Sequence, residues 1–220
     1  MSFDWQYAWT LLPILGPALL VTVKATAAGM AIALTAGLAL ALARRASRRW
    51  ISLPAAGVVE FVRSTPLLVQ LYFVFYVLPG LGLTLSPFAA GALALGIHYA
   101  AYCSEVYRAG IESVPGGQWD AAYALNMSPA DTLARVIIPQ AVARVVPALG
   151  NYLVAMFKDT PLLSAITVVE LLQTAKIVGA ESFRYVEPLT LVGLAFLALS
   201  LASAAGIRML EARFARVLRA

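Results

Sequence analysis

The chain is nearly devoid of histidine and cysteine, with one of each, His98 and Cys103, among 220 residues. A lone cysteine cannot close an internal disulfide, and Cys103 lies within an apolar stretch, so it reads as a small packing residue. There is no Cys/His cluster from which to build a metal site. One histidine with no motif around it supports no Ser/His/Asp arrangement, and His98 reads as a satisfied interior histidine or a helix-contact residue. No Gly-rich loop ending in Gly-Lys-Ser/Thr is present, which excludes that way of binding ATP. Charge is scarce as well: Asp, Glu, Lys and Arg make up 12% of the residues, against about 25% in soluble domains. No catalytic residue, metal or cofactor is therefore expected. The first 18 residues contain Asp4 and no Lys or Arg, unlike the basic start of a cleavable signal.

What fills the chain is apolar, at 61% of residues. The runs predict an all-α polytopic membrane protein with five transmembrane helices, at about 19–43, 54–78, 88–107, 140–157 and 188–209. Residues 1–18, with Trp5, Tyr7, Trp9, Pro13 and Pro17, read as an interfacial arm. The first span carries Ala25, Gly29, Ala33, Gly37 and Ala41 four apart, a stripe that permits close helix approach unless it only reflects a general richness in alanine. The net charge of +5 is not a nucleic-acid stripe, because the basic residues cluster at span ends. Arg44, Arg45, Arg48 and Arg49 follow the first span, and Arg208, Arg213, Arg216 and Arg219 flank the end of the fifth. With five spans both clusters fall on the cytoplasmic side, placing the N-terminus outside and the C-terminus inside. Residues 160–187 then read as a re-entrant or outward-side segment packed on the bundle. The transmembrane domain covers 19–212, and 213–220 is a basic cytoplasmic tail.

Two kinds of polar feature interrupt the oil. The first is intramembrane charge, which costs about 2.5–3.5 kcal/mol per group at a helix centre. Lys158-Asp159 follows a short span and precedes more apolar sequence, which suggests a break inside the membrane, where the pair could meet the carboxylate and amine of a zwitterion; the alternative is a plain span terminus. Glu60 and Arg63, three apart, read either as a pair near the cytoplasmic interface or as intramembrane charges. The second is a polar island over 112–139. Gln118 to Leu125 predicts a short helix with Trp119, Ala122 and Tyr123 on one face. Asn126 suits a left-handed helix stop. Ser128-Pro129-Ala130-Asp131 predicts an N-cap serine, a proline at the first helical position and an acid three residues after the cap. Leu133, Val136 and Ile137 share the next face, and Pro139 closes the segment.

The island resembles the cytoplasmic loop signature of the membrane subunits of bacterial ABC importers: Glu-Ala-Ala, three residues, Gly, nine residues, Ile-x-Leu-Pro. Here the same spacing reads Asp120-Ala121-Ala122, Tyr123 to Leu125, Asn126, Met127 to Arg135, then Val136-Ile137-Ile138-Pro139. Asp for Glu, Asn for Gly, Val for Ile and Ile for Leu are the departures, and Asn still tolerates the left-handed turn. EFVRSTPLLVQLYFVFY (60–76), AAYCSEVYRAGIESVPGGQWDAA (100–122), PQAVARVVPALGNYLVAMFKDTPL (139–162) and VVELL (168–172) are similar to the polar-amino-acid branch of that family, which takes up solutes of the His, Glu, Gln, Arg and opine type. The resemblance covers about 16–212.

It implies one permease half of a type I importer in the bacterial inner membrane. The half would pair with a second permease subunit, as a homodimer or a heterodimer, and work with cytoplasmic ATPase subunits and an external solute-binding protein, surrounded by membrane lipid. It implies coupling to the ATPase through Gln118, Trp119, Asp120, Ala121, Ala122, Asn126, Ser128, Pro129 and Pro139. A substrate path would use Lys158, Asp159, Thr160, Arg63 and Gln70. The solute would be a polar amino acid or related zwitterion, neutral, acidic, basic or an amino-acid-derived osmolyte such as ectoine. An ion-coupled secondary transporter or channel subunit is the rival reading, but it predicts inverted repeats with paired broken helices, and neither is found.

Overall fold

The computed structural model describes residues 3–217, with side chains as far as Arg213. All regular secondary structure among the described residues is helical. The first helix, α1 (Trp5–Arg44), runs 40 residues without interruption, about 60 Å at 1.5 Å per residue. The arm and first span expected as separate pieces are thus one helix. Pro13 and Pro17 lie inside it, tolerated where a long helix is held along one side by its neighbours. Asp4 caps it by accepting the Tyr7 N–H at 3.1 Å. Ala25, Gly29, Ala33, Gly37 and Ala41 are all buried, and they face α4 (Pro87–Glu112) along most of its length. The approach is close enough that a Cβ at Gly37 would meet Cys103 Cβ at 2.8 Å and the Ala100 carbonyl at 2.9 Å. The small-residue stripe therefore works as a packing seam and is more than compositional bias.

The second expected span is two helices. α2 (Arg49–Arg63) and α3 (Leu67–Tyr72) are separated at Ser64-Thr65-Pro66, and the helical run that continues from α3 to Leu81 is bent by 106° from α2. Pro66 has no N–H to give the Val62 carbonyl, and it pushes Thr65 away from helical geometry. The segment expected as the third span is a single helix, α4. The island follows as α5 (Gly116–Ala124) and α6 (Pro129–Asp131). From α6 the chain runs on through a widened π-helical turn (Thr132–Ile137) into α7 (Ile138–Asp159). Pro139 does not close the segment as expected. It lies in the first turn of α7, and the widened turn before it relieves the clash between its ring and the carbonyl four residues back.

A 3₁₀ turn (Thr160–Ile166) and α8 (Leu171–Ser182) lead to α9 (Val186–Val217). The expected packing of 160–187 on the bundle is seen. Leu163, Ile166 and Val168 join the main core with Met30, Leu71, Leu95 and Met156, while Leu171 and Ala175 join Leu11, Leu15 and Val192. Glu170, fully buried, caps α8 by accepting the Leu172 and Gln173 N–H groups at 2.9 and 2.7 Å. Three helices, Trp5–Arg44, Pro129–Ile166 and Val186–Arg213, are long and apolar enough to cross a membrane, and the bent pair would make a fourth. α4 has the length, at 26 residues, but carries a polar face. Of the basic tail, the Arg216 side chain and Arg219 lie outside the described residues.

The start of α1 is clamped to the start of α9. Arg184 reaches Glu187 at 2.6 Å and Asp4 at 3.4 Å, and its guanidinium lies 4.2 Å over the Tyr7 ring. The Tyr7 N–H, with help from Arg184, holds the Asp4 carboxyl below its ordinary value of 3.8. A carboxylate lowered in the folded state stabilises fully above its unfolded pKa and stops doing so as pH falls through its folded one. The melting temperature of the wild type in detergent should therefore exceed that of Asp4→Asn at pH 7, with the gap closing on acidification below about pH 4; a gap that is constant with pH would contradict the clamp.

Candidate functional site

Four polar or aromatic residues line one side of α4: His98, Tyr99, Tyr102 and Glu105. Positions 98, 102 and 105 fall at i, i+4 and i+7, one face of a helix. Three of the five path residues expected from sequence converge on this stripe. Asp159, at the end of α7, accepts the Tyr99 hydroxyl at 2.7 Å. Gln70, on α3, meets His98 Nδ1 at 3.1 Å. Arg63, at the end of α2, lies 5.6 Å over the Tyr102 ring and 3.3 Å from Glu105. Tyr152 of α7 completes an aromatic cage, with ring centroids 6.0 Å from Tyr99 and 5.7 Å from Tyr102.

The other two are placed differently. Thr160 is fully buried and donates to the Phe157 carbonyl, a helix-ending contact. Lys158 is exposed and forms no ion pair among the described residues. Sequence reasoning assigned no path role to Tyr99, Tyr102, Glu105 or Tyr152. The i, i+4, i+7 spacing of His98, Tyr102 and Glu105 is the signal in the sequence that marks this face.

Gln70 has a structural task. Its Nε2 donates to the Val62 carbonyl at 2.8 Å, the acceptor that Pro66 leaves without its helical partner, and to the Thr65 hydroxyl at 2.7 Å, with the Thr65 carbonyl at 3.2 Å sharing one of its two hydrogens. One side chain thus staples the bend between α2 and α3. Beside it, an apolar groove of about 310 Å³ runs between Phe61, Val69, Phe73, Leu93 and Ile97.

Glu105 ties three helices together. One oxygen takes Arg44 of α1 at 2.6 Å and Arg63 of α2 at 3.3 Å, and the other takes Arg108 at 2.9 Å; Arg108 also reaches Glu112 at 2.6 Å. Arg63 therefore pairs across helices and not with Glu60, its expected partner. Glu60 instead receives the Ser64 hydroxyl at 3.5 Å. Three guanidiniums against two carboxylates leave this end of the stripe cationic, while Asp159 makes the other end anionic.

The helix stop and the helix cap of the island have the geometry the sequence predicts. Asn126 adopts φ 54°. The Met127 N–H bonds the Ala122 carbonyl at 3.1 Å and the Asn126 N–H bonds the Tyr123 carbonyl at 2.9 Å, the paired bonds of a Schellman stop. Ser128 Oγ accepts the Asp131 N–H at 3.1 Å and donates to the Asp131 carboxylate at 2.7 Å. Arg135 then holds Asp131 at 3.0 Å.

The apolar faces turn inward. Trp119, Leu133 and Val136 pack with Ile111, Val114, Ile137 and Ala141 at the ends of α4 and α7, and Ala122 is buried. Arg144 donates to the Ser113 carbonyl, and Gln140 reaches Gln118 at 3.2 Å. Gln118, Asp120, Ala121, Asn126, Ser128, Pro129 and Pro139 remain exposed. So do Tyr123 and Leu125, the latter 76% exposed. The predicted face of Trp119, Ala122 and Tyr123 is thus divided, its first two members inward and its third outward.

Residues 9–216 match the family described as "Binding-protein-dependent transport system inner membrane component". The "Probable amino-acid ABC transporter permease protein y4tG" of Sinorhizobium fredii is 47% identical over 205 residues, 93% of this chain and 89% of the relative. The "Glutamine transport system permease protein GlnP" of Escherichia coli is 33% identical over 216 residues, 97% and 98% of the two chains. Among solved structures, the "Crystal structure of an amino acid ABC transporter with histidines" superposes with a TM-score of 0.91 at 34% identity, covering 97% of this chain and 100% of the other. The chain belongs to the family of inner-membrane components of binding-protein-dependent transport systems.

Proposed function

We propose that this chain forms the translocation path for a polar amino acid or related zwitterion in an ATP-driven importer. The observation that carries the reading is the α4 stripe, anionic at Asp159 and cationic at Arg63, with an aromatic cage between: a zwitterion fits with its ammonium toward Asp159 and its carboxylate toward the arginines. The relatives named for glutamine and solved with histidines support that solute class.

In this reading the chain crosses the membrane five times, through α1, the bent α2–α3 pair, α4, α7 and α9. The N-terminus lies outside, and the island 112–139 and the C-terminus lie in the cytoplasm. Residues 1–18 rest at the outer interface, 19–212 form the permease domain and 213–220 the basic tail. The arginines at the inner ends of α1 and α9 support that orientation. Tyr123, Leu125, Asp120 and Ala121, the outward residues of α5, form the ATPase contact, while Trp119 and Ala122 brace the island from below. A second permease subunit completes the path, and a solute-binding protein delivers to it.

The test is reconstitution with the partner ATPase and solute-binding protein. Uptake of L-glutamine or L-histidine should require ATP, and it should fall to background, with the ATPase no longer copurifying, when 112–139 is replaced by a flexible linker. Uptake driven by an ion gradient without ATP would support the secondary-transporter rival.

A further inference from the structure

His98 is the one histidine in the chain, and its hydrogen bond fixes more than its position. Gln70 Nε2 donates to the Val62 and Thr65 carbonyls, which have no proton to give in return. The reverse amide orientation would set Oε1 against those two oxygens, so Oε1 faces His98. Oε1 is an acceptor only, so the contact at 3.1 Å is donated by His98 Nδ1–H. A neutral imidazole carries one proton, so Nε2 is left bare. Nε2 has no protein partner among the described residues, yet it is not among their enclosed unpartnered atoms, of which Thr132 Oγ1 is the sole case. The ring stands in the aromatic cage, 5.4 Å from Tyr99 and 5.2 Å from Tyr102 between centroids, and Tyr99 is the residue that holds Asp159.

We propose that the proline bend sets the proton on His98: Pro66 withholds the regular helical N–H from the Val62 carbonyl, which is left with the longer contacts from the Thr65 N–H and hydroxyl, Gln70 turns its amide to give that carbonyl its shortest bond, and His98 is thereby held as the Nδ1–H tautomer, presenting Nε2 as an acceptor to the solute. This rests on the uptake reading above, which sends the ammonium to Asp159, and sharpens it to a class of solute, amino acids whose side chain offers an N–H to a neutral acceptor. His98 is then a specificity-determining residue, and Gln70 acts through it as a positioning residue.

A single histidine makes the test direct. The full chain, labelled with ¹⁵N-histidine, carrying no histidine tag and embedded in lipid bilayers, gives imidazole resonances from His98 alone. At pH 8 the spectrum should show a protonated Nδ1 and a bare Nε2. Unlabelled L-glutamine or L-histidine should displace the Nε2 resonance and leave Nδ1 in place. The opposite tautomer, or an Nε2 resonance that neither solute moves, would overturn the proposal.

Two variants separate the roles in transport. His98→Asn keeps a donor for Gln70 and removes the acceptor, and should raise the uptake KM about tenfold with little change in maximal rate. His98→Gln keeps an acceptor near Nε2 and gives up the bond to Gln70, and should raise it less. The reverse order would make His98 a structural partner of Gln70 and nothing more. A displaced Nε2 resonance without ATP-driven uptake would sink the transport reading alone, whereas uptake without displacement would sink this one alone.

Discussion

Asp159→Ala should bring uptake to background while the chain still enters the membrane and still copurifies with its ATPase. Among the described residues the carboxylate is held by one bond, from the Tyr99 hydroxyl to Oδ2, which leaves Oδ1 to meet a cationic group. Removing one partner of a desolvated, hydrogen-bonded charge pair costs about 2–5 kcal/mol, and about 1.4 kcal/mol is a factor of ten, so the loss spans roughly thirty- to several-thousand-fold. Tyr99→Phe removes the orienting bond and leaves the charge, and should cost about tenfold. That ranking is what a binding role requires. Equal losses in the two variants would point to a purely structural contact, and wild-type uptake in Asp159→Ala would remove Asp159 from the path. Lys158→Ala completes the set: full uptake there would leave Asp159 as the working half of the dipeptide.

The second large effect is at Asn126. Its φ of 54° is open to Asn and Gly, and strained by about 1–3 kcal/mol in a β-branched residue. Asn126→Val should therefore break the stop between α5 and α6, displace Tyr123 and Leu125, and uncouple ATP hydrolysis from transport. Asn126→Gly should behave as the wild type, since the two bonds of the stop are backbone bonds. An uptake-to-hydrolysis ratio lowered at least about tenfold in Asn126→Val alone is the expected readout. Asp120→Lys, exposed on the same helix, should also uncouple, through charge and without the turn. Unchanged ratios in Asn126→Val and Asp120→Lys would remove the island from coupling.

The features legible in the sequence were those set by neighbours along the chain. Ser128, Pro129 and Asp131 announce a helix start because the cap closes within three residues, and Asn126 announces a stop for the same reason. The stripe from Ala25 to Ala41 is visible because helix geometry alone puts those residues on one side. What escaped were contacts chosen by tertiary structure. Glu60 looks like the partner of Arg63 because it is three residues away, yet Glu105, 42 residues on, takes that place once α2 lies against α4. Gln70 reads as a polar residue in a span, and nothing local reveals that the Val62 carbonyl, eight residues back, needs it. The continuity of α1 was hidden by Pro13 and Pro17, whose effect on a helix depends on what packs beside it.

From Pro129 to Asp159 the backbone never leaves helical geometry. It forms a shaft of 31 residues, about 46 Å long at 1.5 Å per residue, with the island at one end and the path carboxylate at the other. A push delivered at the foot of such a shaft reaches its head with no slack loop to absorb it. Two points of compliance interrupt it: the widened turn at Thr132–Ile137 sits at the foot, where bending redirects the stroke without shortening it, and Pro147 removes one helical hydrogen bond further along α7. On the proposed reading, the drive and the cargo grip would be cut from a single piece.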